Sequence, residues 1–69
     1  MLYHNHTQYT VSCSGIPDDD ESAIILLKTL VHTHLHQSWK PEDRYVLMSE
    51  SGDHLIYDYG FVYRMADSG

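Results

Sequence analysis

The sequence predicts an α+β fold of order β-α-β-β, in which one helix packs on one face of a three-stranded antiparallel sheet. Three observations predict it. Residues 18–39 repeat apolar side chains with a helical period. The residues before this stretch alternate like a strand, and those after Pro41 form two strand-like runs separated by a turn. Because the chain has 69 residues, we expect a single compact domain over residues 1–69 with a small core.

The first predicted strand runs from Leu2 to Cys13. Its alternate residues form the set that we place toward the core: Tyr3, Asn5, Thr7, Tyr9, Val11 and Cys13. The other set is mostly polar, which is typical of a strand with one solvated face in an antiparallel sheet. Because Cys13 is the lone cysteine, it forms no internal disulfide, and we interpret it as a packed strand residue rather than a nucleophile.

The helix is predicted from Asp18 to Trp39, between Pro17 and Pro41. Proline disfavours helix continuation, and Asp18 with Glu21 has the spacing of a capping box. At about 100° per residue, His34 and seven apolar residues fall on the face that should be buried. These apolar residues are Ala23, Ile24, Leu26, Leu27, Leu30, Val31 and Leu35.

The opposite face of this predicted helix carries a mixed stripe that we interpret as a partner-binding surface. Its members are Ile25, Lys28, His32, His36 and Trp39. An exposed Trp with an exposed Ile favours a contact with another chain. The alternative is that Trp39 folds under the helix end and caps the core, while Ile25 is an ordinary exposed apolar residue.

Two strands are predicted after Pro41. A short run from Tyr45 to Met48 ends at a hairpin turn over residues 50–53, and a longer strand, residues 54–65, follows. The longer strand has Leu55, Tyr57, Tyr59, Phe61, Tyr63 and Met65 on one face. A bulge at Gly60 would swap the faces and split this row between core and surface.

We expect the longer strand to lie centrally, with the first strand beside it. One helix covers one sheet face, so we predict that Tyr57 and Tyr59 belong to a free face that binds a partner. The alternative is that the tyrosine rings pack and only their hydroxyls reach solvent.

The charge balance restricts the classes of partner. The chain has four Lys and Arg and ten Asp and Glu, so its formal net charge is −6. This charge argues against direct binding of nucleic acid, because such binding needs cationic residues to neutralise phosphates. A protein with a basic surface is a better partner, and the candidate contact is the acidic cluster Asp18, Asp19, Asp20 and Glu21. The same cluster also suits a helix start. We find neither a membrane-spanning apolar run nor a signal-peptide pattern, so a cytoplasmic location is expected.

The histidines are the main candidates for chemistry. His32 and His36 are one helical turn apart, a spacing that can share a metal ion, and His4 and His6 project from the same side of the first strand. No HExxH pattern accompanies them, and the four glycines form no phosphate loop. We therefore predict no metal site, no cofactor, no catalytic residue and no enzymatic activity.

No motif is specific enough to indicate a family. We predict a small acidic interaction module that binds and modulates or inhibits another protein, as accessory proteins of phages and mobile elements do. The target could itself be a nucleic-acid-binding protein, and the extreme form of this function is mimicry of nucleic-acid charge. A homodimer or a heteromeric complex is expected. The alternative is a histidine-based metal-binding or small catalytic domain.

Overall fold

The computed structural model describes residues 7–65, which form one helix and a mixed sheet. The elements are β1 (Gln8–Cys13), α1 (Asp20–Leu35), β2 (Arg44–Ser49), β3 (His54–Asp58) and β4 (Phe61–Met65). The predicted α+β class is confirmed. The part of the first predicted strand from Leu2 to His6 and the tail from Ala66 to Gly69 lie outside the described residues.

The strands of the described sheet lie in the order β1-β2-β3-β4. β1 pairs with β2 in parallel, whereas β2 with β3 and β3 with β4 pair antiparallel. The prediction of three antiparallel strands is therefore wrong in strand number and in the direction of β1, and β1 lies beside β2 rather than beside the C-terminal strands. The physical reason is α1, because a helical connection carries the chain back to the end of the sheet where β1 began and so makes the next strand parallel to it.

The long C-terminal strand that we predicted is divided at Tyr59 and Gly60. Both residues have positive φ, 52° and 87°, and Asp58 and Phe61 are the Cα partners that close the hairpin. Two consecutive residues with positive φ make the type of tight turn that suits antiparallel strands. The predicted bulge at Gly60 is therefore wrong. Its predicted consequence is correct, since the aromatic row is split between the two faces of the sheet.

The core lies between α1 and the facing side of the sheet. Its fully buried apolar residues are Val11, Ala23, Leu27, Val31, Tyr45, Leu47 and Leu55. Ile24, Leu26, Leu30 and Leu35 are partly buried against them, so the predicted apolar face of the helix packs on the core. His34 is exposed, and its predicted place on the buried face is wrong.

The helix ends differ from the predicted ones. Asp19, not Asp18, is the N-cap, and its carboxylate accepts a hydrogen bond from the Ser22 amide at 2.8 Å. The helix ends at Leu35, because His36 adopts the left-handed conformation with φ 54°, a common C-terminal stop. Trp39 therefore lies beyond the helix and is free to turn toward the sheet.

Candidate interaction surface

One face of the sheet is packed on α1 and the other has no partner layer within residues 7–65. We call the second one the open face. Alternation along the paired strands assigns to it Gln8, Thr10, Ser12, Arg44, Val46, Met48, His54, Ile56, Asp58, Phe61, Tyr63 and Met65. The helix covers one side of a two-sided sheet, so the described part of the chain leaves these side chains without a second layer.

Six residues of the open face form an apolar patch: Val46, Met48, Ile56, Phe61, Tyr63 and Met65. Val46 is only 8% exposed and Ile56 is partly buried, so the other four form the exposed part of the patch. The exposed fractions are 66% for Phe61, 56% for Met65, 51% for Tyr63 and 36% for Met48. The register places Ile56 between Val46 and Tyr63, so the apolar residues are neighbours rather than scattered. Contiguous exposed apolar surface on a small domain is typical of an interaction site.

The formal charges on the open face cancel. Arg44 and Asp58 are Cα partners on adjacent strands and carry opposite signs, and His54 is neutral at pH 7 in the formal count. The chain as a whole carries −6. Within residues 7–65 the acids other than Asp58 lie on other surfaces, and the described strands present an apolar and formally neutral open face.

The stripe predicted on the outer face of the helix is only partly present. Ile25 is 61% exposed, and Lys28, His32 and His36 are also exposed. Trp39 lies beyond the end of the helix and is partly buried, so its predicted place on the outer helix face is wrong, although Lys28 of the stripe contacts its ring. The stripe keeps one large apolar residue, which is a normal feature of a solvated helix face.

Trp39 instead joins an aromatic cluster under the end of the helix. Its ring stacks on Tyr45 with centroids 4.1 Å apart and lies 4.9 Å from Tyr57, while Tyr9 stacks on the same tyrosine at 5.2 Å. The Lys28 ammonium lies 5.4 Å from the Trp39 ring centroid, a cation–π contact. The alternative prediction, that Trp39 caps the core, is thus confirmed.

This cluster also corrects the placement of Tyr57. Tyr57 is half-buried on the helix side of the sheet, not on a free face, because it packs against Trp39 and the core. Tyr59 is 45% exposed, but it lies in the β3–β4 turn rather than in a strand. Tyr57 and Tyr59, which we predicted to lie together on one partner-binding face, are therefore on different parts of the molecule.

The acidic cluster at the start of α1 is exposed but partly engaged. Hydrogen bonds from Ser22 hold the pKa of the Asp19 carboxyl below its ordinary value, because they stabilise the charged form. Asp20 accepts a hydrogen bond from the Arg64 guanidinium at 2.9 Å, and the same guanidinium donates to the Pro17 carbonyl at 2.8 Å. Two of the predicted contact acids thus serve the fold by capping the helix and joining it to β4.

The described histidines and Cys13 form no metal site. Among residues 7–65 no group of three or more His, Cys, Asp or Glu could hold a metal ion. His4 and His6 lie outside the described residues. Cys13 is half-buried with its sulfur 3.4 Å from the Gly15 carbonyl, and burial raises the pKa of its thiol, which opposes nucleophilic reactivity.

A shallow pocket of about 290 Å³ lies at one end of the sheet, between the β1–α1 connection and β4. It is lined by Ile16, Asp18, Asp53, His54, Arg64 and Met65. The Arg64 guanidinium already donates hydrogen bonds to Asp20 and to the Pro17 carbonyl. These two contacts within the protein occupy donors that an anionic ligand in the pocket would need. The pocket lies at the border of the open face, because His54 and Met65 of that face line it.

Sequence reasoning did not select the most exposed residues of the apolar patch. Phe61, Tyr63 and Met65 were placed in one row with Leu55 and Tyr57, because the run was treated as one strand. The signal that could have separated them is the Tyr59–Gly60 pair, since a turn of two residues places 58 and 61 opposite each other.

No protein-family model, curated protein or solved structure matches the chain. Within residues 7–65 no helix is both long enough and apolar enough to cross a membrane.

Proposed function

We propose that this protein is a small non-catalytic interaction module whose binding surface is the open face of its sheet. The observation that supports this most is the exposure of Phe61, Met65 and Tyr63, each more than half exposed on one contiguous surface. Removing apolar area from water contributes roughly 25 cal/mol per Å², so covering this patch supplies a driving force for association. Among residues 7–65 no cluster of His, Cys, Asp or Glu that could hold a metal ion supports the alternative metal-binding role.

We further propose that the module modulates or inhibits a protein rather than binding nucleic acid or a membrane. The net charge of −6 supports this, because a polyanion would be repelled and a basic protein surface attracted. Charge mimicry of nucleic acid has weaker support, since Asp19 and Asp20 are engaged in capping and in the contact with Arg64. A lone cysteine is compatible with the reducing cytoplasm, where we place the protein.

Site-specific photo-crosslinking in the producing cell tests the binding surface. A photoreactive phenylalanine analogue replaces Tyr63 in one variant and Glu50, an exposed residue of the β2–β3 loop, in the control. We expect a discrete crosslinked protein species from position 63 and none from position 50. Equal crosslinking from both positions, or none from position 63, would contradict the proposed surface.

A further inference from the structure

We propose that the chain which covers the open face is a second copy of this protein, packed sheet against sheet. This inference rests on the proposed function, in that the open face is the binding surface, and it names the chain that covers this face. The modulated basic protein would then bind the acidic surface at the start of α1. Three features of the molecule support it: the neutrality of the open face, the location of the most exposed apolar residues, and the twist and size of the sheet.

The charge of the open face suits a copy of itself better than a basic protein. Its formal charges, on Arg44 and Asp58, cancel and lie side by side, while the chain around it carries −6. A basic partner would be drawn to the acidic surfaces elsewhere, not to this face. Two open faces can approach each other with most of the excess charge outside the interface, although Asp18 and Asp53 border the face at the pocket near Met65.

The location of the exposed residues favours stacking over pairing of edge strands. β4 is an edge of the described sheet and could pair with the same strand of another copy through its backbone. Such a continuous sheet would leave the side chains of Phe61, Tyr63 and Met65 on a surface as uncovered as before. Face-to-face packing buries these side chains together with Met48, so it accounts for the apolar patch and edge pairing does not.

The twist and size of the sheet set the geometry and strength of the contact. Packed sheets align at about 30° because their twists match, and a second copy has the same twist. With strands about 4.8 Å apart and about 3.3 Å per residue, two strands of six residues and two of five give a flat area on the order of 300 Å². Stable interfaces bury about 800 Å² per partner, so we expect a weak dimer that depends on protein concentration.

This dimer would place its helices on the two outer surfaces. The exposed acids Asp19, Asp20 and Glu21 and the exposed Ile25 lie in the helix layer, so both copies keep them accessible, whereas Asp18 lies at the border of the open face. Each dimer would therefore offer two equivalent acidic surfaces to a basic partner, and two-site binding raises the overall affinity when both sites engage.

Sedimentation equilibrium with a matched pair of variants tests the inference. Phe61→Lys places a charge on the open face, and Ile25→Lys places the same charge on the helix, at positions 66% and 61% exposed in the monomer. Over about 5 μM to 1 mM protein we expect the wild type and Ile25→Lys to pass from monomer to dimer with similar Kd. We expect Phe61→Lys to dimerise at least about tenfold more weakly.

Amide chemical shifts of the wild type, recorded on dilution, give a second measurement that needs no variant. We expect the concentration-dependent shifts to lie on residues of β2, β3 and β4 that face away from α1, and not on the helix. A wild type that is monomeric over the whole range would overturn the inference. So would a dimer that survives Phe61→Lys, or shifts that cluster on α1.

The outcomes also separate this inference from the proposed function. A monomeric wild type whose position 63 crosslinks to a different protein would leave the open face as a binding surface and remove the second copy as its occupant. A monomeric wild type with no crosslink at position 63 would overturn both proposals.

Discussion

Tyr45 shows how one residue can serve both packing and hydrogen bonding in a small core. Its side chain is fully buried between the Trp39 and Tyr9 rings, and its hydroxyl accepts a hydrogen bond from the Lys40 amide at 3.0 Å. A buried hydroxyl without a partner would cost free energy, and this bond offsets that cost. Burial also raises the pKa of the Tyr45 phenol, which keeps the hydroxyl neutral. Tyr45 thus holds Trp39 and Lys40, which follow α1, against the sheet.

Leu27 is the residue at which we expect the largest single loss of core packing. It is fully buried at the centre of the helix face that contacts the sheet. We predict that Leu27→Ala lowers the free energy of unfolding by about 2–5 kcal/mol, because it removes buried methyl groups and leaves a cavity. Urea unfolding measures the change. The control is Ile25→Ala, two residues away but 61% exposed, for which we expect a change within about 0.5 kcal/mol. Similar losses in the two variants would contradict this assignment of the buried face.

At the scale of the elements, the β3–β4 hairpin depends on backbone conformation. Gly60 has φ 87° and no atom within 4 Å of the position that a Cβ would take, so a side chain there meets strain but no clash. Tyr59 adopts φ 52° beside it, which is uncommon for a large residue and shows that the turn is held by its surroundings. The hairpin places Phe61 and Tyr63 on the open face, so its turn decides the composition of that surface.

Gly60→Ala tests this conformational requirement directly. We predict a loss of about 1–2 kcal/mol in the free energy of unfolding, because L residues are disfavoured at positive φ. Gly15→Ala is the matched control, since Gly15 also has no atom within 4 Å of the Cβ position but does not have a positive φ. For the control we expect no loss, or a gain of about 0.4–1 kcal/mol from a less flexible unfolded chain. Thermal or urea unfolding of both variants measures the difference, and equal effects would show that φ is not the cause.

The start of α1 gives a prediction for the dependence of stability on pH. The pKa of Asp19 is lowered from 3.8 by hydrogen bonds from Ser22, so the folded state holds this carboxylate in its charged form. Its contribution is fully present above pH 3.8 and is lost as the pH falls through the lower folded value. Asp19→Asn keeps a capping oxygen but does not titrate, so we expect its unfolding temperature to fall less than that of the wild type between about pH 6 and pH 2. Asp19→Ala should be less stable than Asp19→Asn throughout. Parallel curves for the wild type and Asp19→Asn would show that the cap does not depend on charge.

The elements also show what could be predicted from the sequence and what could not. The buried face of α1 follows from helical periodicity, which is a local pattern, and Ala23, Leu27 and Val31 are buried as predicted. The parallel pairing of β1 with β2 depends on where α1 returns the chain, and alternation in β1 carries no information about strand direction. Trp39 was placed on a helix that ends earlier, because a histidine rather than a glycine takes the left-handed position at residue 36. Asn-Gly or Asp-Gly marks a tight hairpin turn more clearly than Tyr59–Gly60 does, so the division of the last strand was not predicted.

At the scale of the whole molecule, most of the described acids lie away from the apolar patch, although Asp18 and Asp53 border it near Met65. The acids around the start of α1 lie at the edge of the helix layer, whereas the open face has no net formal charge. We therefore expect salt to have opposite effects on the binding of a basic protein and on dimerisation through the open face. Contact with a basic protein through Asp18 and Glu21 would weaken at high salt, because exposed ion pairs are screened.

We predict that raising the NaCl concentration from about 0.05 M to about 0.5 M strengthens the dimer of this protein. Each copy carries −6, so the copies repel one another at long range, and the screening length falls below about 10 Å once the salt exceeds about 0.1 M. The apolar contact through the open face is not weakened by screening, so the net effect of salt is a lower Kd. Sedimentation equilibrium of the wild type at the two salt concentrations measures the sign, and Phe61→Lys at the same concentrations controls for nonspecific association. A Kd that rises with salt would mean that opposite charges hold the copies together, and would contradict a dimer held by the apolar patch.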